Sequence, residues 1–146
     1  MADFLSPQDR SERMSRIKGK DTRPELALRR VLHGLGLRYR LHAVGLVGKP
    51  DLIFPRYKIV VFVHGCFWHR HLGCNIATTP KSNVAYWSEK FEKNIARDTR
   101  VIKVLEEAGW QVIVVWECEL NSLIKAQATG QRLAALIRQA SGPLVD

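Results

Sequence analysis

The chain has little of several things, and each shortage closes off a class of protein. No apolar run approaches the roughly 18 residues that span a bilayer, so a membrane protein is not expected. The opening residues, Met-Ala-Asp-Phe-Leu-Ser-Pro, lack the basic-then-apolar layout of a secretion signal, and the expected compartment is the cytoplasm. Cysteine is scarce and odd in number. Three thiols cannot all pair with each other, and a reducing compartment favours thiolate ligands over disulfides. Internal repeats, low-complexity stretches and a second domain are absent from the pattern. Acidic residues are also in deficit, 14 Asp and Glu against 23 Lys and Arg, which leaves a formal charge of +9. That excess favours a polyanionic partner. Without a basic helix carrying a wide apolar face, nucleic acid is favoured over an acidic membrane, with a merely basic soluble protein as the bland alternative.

At 146 residues and 46% apolar content, one domain with a single substantial core is expected. Residues 1–21 carry spaced cations (Arg10, Arg13, Arg16, Lys18, Lys20) without an apolar stripe. They read as a flexible arm that either follows phosphates or enters a groove, or is simply a solvated tail. The folded domain is expected over 22–140, and 141–146 as a C-terminal tail. Thr22-Arg-Pro-Glu25 has the form of a capping box with proline in the first turn, which by itself accounts for Glu25. Behind it Leu28, Val31, Leu32 and Leu35 fall on one helix face, with Gly36 as the cap. Pro50–Phe54 reads as a short strand turned by Pro55-Arg56-Tyr57 into the run Ile59–Val63, which is β-branched and buried. A long helix is expected from about Asn83 to Glu107, its apolar face holding Trp87, Phe91, Ile95, Val101, Ile102 and Leu105. A further strand spans Gln111–Trp116, and a last helical stretch, Leu120–Ala140, has Leu133, Leu136 and Ile137 on one face. This order predicts an α/β fold, a central mixed β-sheet flanked by helices.

The chemistry is concentrated where the central strand ends, in His64-Gly-Cys66-Phe-Trp-His69-Arg-His71-Leu-Gly-Cys74. Cys66, His71 and Cys74, joined by Cys118 from the end of a distant strand, give three thiolates and one imidazole. That is the donor set of a closed, four-coordinate structural zinc site; free thiols beside an exposed histidine are the alternative. His64 and His69 are left over, and an imidazole can move a proton near neutral pH. Asp51 sits at the end of a strand paired with the one leading to His64, a place from which a nuclease aspartate holds magnesium, or else a satisfied turn aspartate. Asp98 falls in the middle of a helix face that should be apolar. A carboxylate there is costly without a partner, and one of the histidines is the obvious one. Phe67 and Trp68, next to the first zinc ligand, and Trp87, which also fits the helix core, are candidates to wedge between base pairs.

With these residues on the page, the chain resembles the very short patch repair (Vsr) endonucleases. The resemblance is carried by Arg16-Ile-Lys-Gly-Lys-Asp-Thr-Arg-Pro-Glu25, Lys49-Pro-Asp51-Leu-Ile-Phe, Val61-Phe-Val-His64-Gly-Cys-Phe-Trp-His69, Asn94-Ile-Ala-Arg-Asp98, Gly109-Trp110 and Val115-Trp-Glu-Cys118. It implies a restriction-endonuclease-like fold with a histidine cluster in place of the usual acid-and-lysine motif. It implies magnesium-dependent nicking of double-stranded DNA on the 5′ side of the thymine in a T:G mismatch, the product of 5-methylcytosine deamination. By the same resemblance Asp51 and the backbone carbonyl of Val63 ligate magnesium, and Glu25 holds water on it. His69 is the general base, and His64 and Asp98 assist its proton network. Cys66, His71, Cys74 and Cys118 bind the structural zinc. Phe67, Trp68 and Trp87 form the intercalating wedge, and the arm with Arg16, Lys18 and Lys20 lies in the opposite groove. Valine stands at 63 where the family commonly has threonine, so a backbone carbonyl survives there and a hydroxyl role does not. The His71–Cys74 spacing is one residue longer than in the best-known members, and the loop from Asn75 to Asn83 differs too. The implied state is a monomer at the nucleoid, with mismatch-repair proteins as further partners. Two alternatives stay open on the residues: a restriction-type nuclease of broader specificity, and a zinc-bearing DNA-binding module without catalysis.

Overall fold

The structure is a computed structural model, described for residues 22–41 and 45–141. The proposed arm (1–21, with Arg16, Lys18 and Lys20) and tail lie outside the described residues, apart from Ser141, which closes the last helix.

Helix α1, Arg23–Gly34, starts where the sequence places its cap: the Thr22 hydroxyl accepts from the Glu25 N–H at 3.4 Å, and proline stands in the first turn. Strand β1, Leu52–Phe54, is shorter than expected because Pro50 and Asp51 precede the ladder. A 3₁₀ turn at Pro55–Tyr57, closed by Lys58 in the left-handed region, reverses the chain into β2, Ile59–His64. Helix α2 runs Val84–Glu107, β3 runs Gln111–Trp116, and a second 3₁₀ turn (Glu117–Glu119) leads into α3, Leu123–Ser141. The last helix therefore starts three residues later than its apolar pattern suggested.

The sheet order is β1-β2-β3, with β1 antiparallel and β3 parallel to β2. A parallel β2–β3 pair needs a crossover, and α2 supplies it. Because strand side chains alternate, the sheet has two faces. Leu52, Phe54, Ile59, Val61 and Val115 face α1 and α3, where Leu28, Leu32, Leu133 and Ile137 complete the main core. Ile53, Val60 and Phe62 face α2 through Val101 and Leu105. Helices α1 and α3 approach closely at Gly130, where a Cβ would meet Val31 Cγ1 at 2.2 Å. Glycine in mid-helix disfavours the helix by about 1 kcal/mol relative to alanine, and this contact is the reason it is there.

Two expected core residues face out instead. Ile95 is 47% exposed and Leu136 is 42% exposed. At about 100° per residue, each sits one step round from the stripe that is buried. Asn94 takes the inward position at that turn of α2, and Leu133, Ala134 and Ile137 take it on α3. Among the described residues no helix is long and apolar enough to cross a membrane.

Candidate active site and metal centre

The C-terminal ends of the two parallel strands carry the site, and Asp51 joins them from the start of β1. The Asp51 N–H donates to Val61 O at 3.0 Å, which ties the residue ahead of β1 to β2. Its carboxylate Oδ2 accepts from the Val63 N–H at 2.7 Å, so the acid is locked against the strand end. Glu25, buried in the first turn of α1, accepts from the Arg29 guanidinium. Burial pushes the Asp51 carboxyl up to about 7, against the pull of the Val63 hydrogen bond, and the adjacent Glu25 carboxyl adds to the rise. Two neighbouring carboxyl groups, one of them resisting ionisation, are a poor arrangement by themselves and a good one for a divalent cation with oxygen ligands. The donor set present fits such an ion.

His69 is half-buried, and its Nδ1 lies 2.6 Å from Asp98 Oδ2 on α2. The misplaced acid of the α2 face thus has an imidazole partner. The His64 ring stacks on that of His69, with centroids 3.9 Å apart and planes 6° off parallel. Burial first, and the charge on His69 second, lower the His64 pKa to about 4, so His64 is neutral near pH 7. Asp51, Val63 and His69 line a cavity of about 560 Å³ together with Glu25, Phe67, Trp68 and Glu117. A second cavity of about 490 Å³ is lined by Asp51, Val63, His64, His69 and Asp98. Asp51, Val63, His69 and Arg97 border both. Asp51 and His69 thus border both openings, and His64 borders the second alone.

Cys66, His71, Cys74 and Cys118 present one ligand atom each, all within 4.8 Å of one another. The His71 Nδ1 lies 3.6 Å from Cys66 Sγ and 3.5 Å from Cys118 Sγ. With Zn–S near 2.3 Å and Zn–N near 2.0–2.1 Å, the N···S edge of a tetrahedral site is about 3.5 Å. The spacings therefore fit a zinc-sized ion. Burial pushes the Cys66 thiol up to about 12, while the Ile76 backbone N–H holds Cys74 down to about 7.

Phe67 packs edge-on against Trp68 at 5.1 Å, Trp87 at 5.6 Å and Phe91 at 5.3 Å. This aromatic platform borders the larger cavity through Phe67 and Trp68.

The profile of one family, DNA mismatch endonuclease Vsr, matches residues 2–75. The type II nicking enzyme V.XorIIP of Xanthomonas oryzae pv. oryzae is 52% identical over 123 residues, covering 84% of this chain and 90% of that protein. The chain belongs to the Vsr family. Vsr relatives also include the type II nicking enzyme V.NmeAIP of Neisseria meningitidis serogroup A, 44% identical over 139 residues, with 95% of this chain and 96% of that protein covered. The DNA mismatch endonuclease Vsr of Escherichia coli strain K12 is 42% identical over 121 residues, covering 83% and 77%. Among solved structures, the catalytic domain of the homing endonuclease I-Bth0305I is similar with a TM-score of 0.50 at 20% identity, over 80% of this chain and 98% of that one. That likeness supports an endonuclease fold, and this Vsr-family chain is a DNA endonuclease.

Several residues of this Vsr domain contribute to the site without having been singled out in the sequence. Arg70 donates to the carbonyls of Phe67, Ala77 and Thr78 and lies over the Phe91 ring at 4.0 Å, which ties the wedge loop to the segment after it. Asn94 donates to the Trp68 carbonyl at 3.2 Å, and Glu117 accepts from the Cys66 N–H at 2.9 Å. Trp116 stacks on His71, with centroids 4.2 Å apart. Asn94, Trp116 and Glu117 lie inside the motifs that carry the resemblance, but their contacts depend on partners remote in sequence.

Proposed function

We propose that this enzyme nicks double-stranded DNA at a T:G mismatch, 5′ to the thymine, with magnesium at the acid site and zinc in the thiolate site. The observation that carries the reading is the wall shared by the two cavities, where Asp51, Val63 and His69 stand together with Asp98 behind His69. Asp51 and the Val63 carbonyl would hold the magnesium, with Glu25 as the second acid of the site. When bound, that ion would offset charge building on the scissile phosphate. Asp98 takes the Nδ1 side of His69, which leaves Nε2 as the nitrogen to accept a proton from the attacking water. His64, neutral and stacked on that ring, keeps its plane in place without adding a competing charge. Cys66, His71, Cys74 and Cys118 hold the loop that bears both His69 and the wedge.

Selectivity follows from the platform beside the acids. A wobble pair is easier to unstack than a matched pair, and Phe67, Trp68 and Trp87 offer rings to insert in its place. The charge of +9 supplies the sequence-independent attraction to phosphates. The enzyme works as a monomer, since cutting one strand requires no second copy, and acts at the cytoplasmic nucleoid, with mismatch-repair proteins as further partners. The test is a panel of duplexes carrying each mismatch in varied contexts, incubated with and without magnesium. We expect one nick, immediately 5′ to the thymine of T:G and absent without the metal. Equal cutting of matched and mismatched duplexes would remove the mismatch reading, and a double-strand break would favour the restriction-type alternative.

A further inference from the structure

The ends of β2 and β3 pair His64 with Trp116 in the parallel register. Trp116 belongs to neither of the two apolar clusters. It is half-buried at the sheet end, and two histidine rings lie against it. One face lies on His71 with planes 7° from parallel, and its ring meets that of His64 edge-on at 5.3 Å and 76°. His64 in turn stacks on His69, and His69 reaches Asp98. A continuous series of rings thus runs from a ligand of the thiolate cluster to the imidazole beside the acids. The backbone under Trp116 is fixed as well. Its N–H donates to Glu119 Oε1 at 3.0 Å, and the other oxygen of that carboxylate accepts from Arg132 on α3 at 2.7 Å.

From this we infer that Trp116 is a positioning residue, whose ring sets the His64–His69 stack against His71 and so couples the thiolate metal centre to the proton-transfer site. Ring contacts of this kind are modest as stability. Their larger effect is on placement, because an error near 1 Å in a reacting group lowers rate by about 100-fold. His71 would offer a reference point that does not drift, since a metal held by Cys66, His71, Cys74 and Cys118 would fix its imidazole. His64 is the relay, since its ring meets Trp116 edge-on and lies flat on His69. The inference rests on His69 being the general base.

The experiment uses the full chain loaded with zinc and four variants: Trp116→Leu, Trp116→Phe, His71→Cys, and Trp116→Leu with His71→Cys. The His71→Cys change keeps four donors while removing the ring that faces Trp116. We expect Trp116→Leu to lower kcat for mismatch nicking by about 10–100-fold with KM for DNA within about threefold, and Trp116→Phe to recover most of the loss. His71→Cys should lower kcat in the native background and add little in the Trp116→Leu background. Imidazole resonances of His69, one ring removed from Trp116, should move in Trp116→Leu and in His71→Cys. Additive rate losses, or a raised KM and lowered Tm with His69 resonances unmoved, would reduce Trp116 to packing and overturn the inference. If Trp116→Leu does not fold, Trp116→Phe and His71→Cys decide by the same readouts. A His69→Ala control separates the two claims: undiminished nicking there sinks the role of His69, while the resonances still decide whether the rings are coupled.

Discussion

Two groups of ionisable side chains meet at the loop that follows β2 and are built on opposite plans. In the thiolate cluster the four ligand atoms converge, with N···S edges of 3.5 and 3.6 Å that leave no room for a fifth partner. In the acid–histidine row the groups spread along a cavity wall open on two sides. The first arrangement is complete once an ion is in it, and the second is incomplete until metal and substrate arrive. Structural metal sites close and catalytic ones keep a position open, so on the proposed function the difference separates what holds the loop from what reacts. It also explains why Cys66 is sealed off while Asp51 lies in an opening despite its raised pKa.

The contrast breaks most visibly if each site is emptied in turn. Stripping the thiolate centre, or replacing Cys118 with serine, should cost several kcal/mol of folding, since structural zinc binding is worth on the order of 10 kcal/mol. The expected reading is a fall in Tm of roughly 10–20 °C with loss of the zinc stoichiometry. A Tm unchanged by zinc removal would deny the cluster its structural role. Emptying the other site should leave the fold intact. Asp51→Ala is expected to lower single-turnover nicking by about 1,000-fold or more, with mismatch-duplex affinity by fluorescence anisotropy within a few-fold of native. If cleavage survives that change, Asp51 is no metal ligand.

How much of this was legible depended on chemical rarity more than on pattern. Three cysteines and a histidine in a chain so poor in cysteine announce themselves, and a carboxylate on an apolar helix face demands a partner, which the structure supplies as His69. Trp116 could not be read that way. Its role depends on the β2–β3 register, set by residues about fifty positions apart, and alone it is merely the last residue of a strand. Arg70 looked like one cation among many, yet its donors reach three backbone carbonyls. Ile95 and Leu136 misled for a simpler reason: apolar spacing locates a stripe only to within one residue, and Asn94 was not an expected inward position.

The raised pKa of Asp51 sharpens the comparison in the metal-free protein. An acid whose folded pKa lies near 7 against an ordinary 3.8 favours folding fully below pH 3.8, and that advantage is lost as pH rises through 7. At pH 8 the native carboxylate is therefore a liability that asparagine lacks, while the asparagine amide oxygen still accepts from the Val63 N–H. Asp51→Asn should raise unfolding free energy at pH 8 without metal by on the order of 2–4 kcal/mol, measured by urea titration. The gap should close as pH falls from 7 to 4. His64 has the opposite sign, since its depressed pKa removes stability as pH falls from 6.5 to about 4, but it is common to both proteins and cancels in their difference. Magnesium should stabilise the native protein by mass action and leave the variant unmoved. A gap independent of pH would mean that Asp51 is not held protonated by its surroundings.

The smallest effect belongs to position 63, within the open plan: its N–H fixes Asp51 and its residue borders both cavities. If only the backbone carbonyl there serves the metal, the side chain is free to vary as long as it keeps the strand geometry. Threonine has the β-branched shape of valine, so Val63→Thr preserves both the ladder and the bond to Asp51. We expect kcat, and the magnesium concentration giving half-maximal nicking, to stay within about two- to threefold of native, a change below about 1 kcal/mol. A rise of tenfold or more in either would show that a hydroxyl at this position takes part in holding water or metal. This enzyme would then be working without a group that its chemistry can use, and the open site would be open for want of a side chain as well as by design.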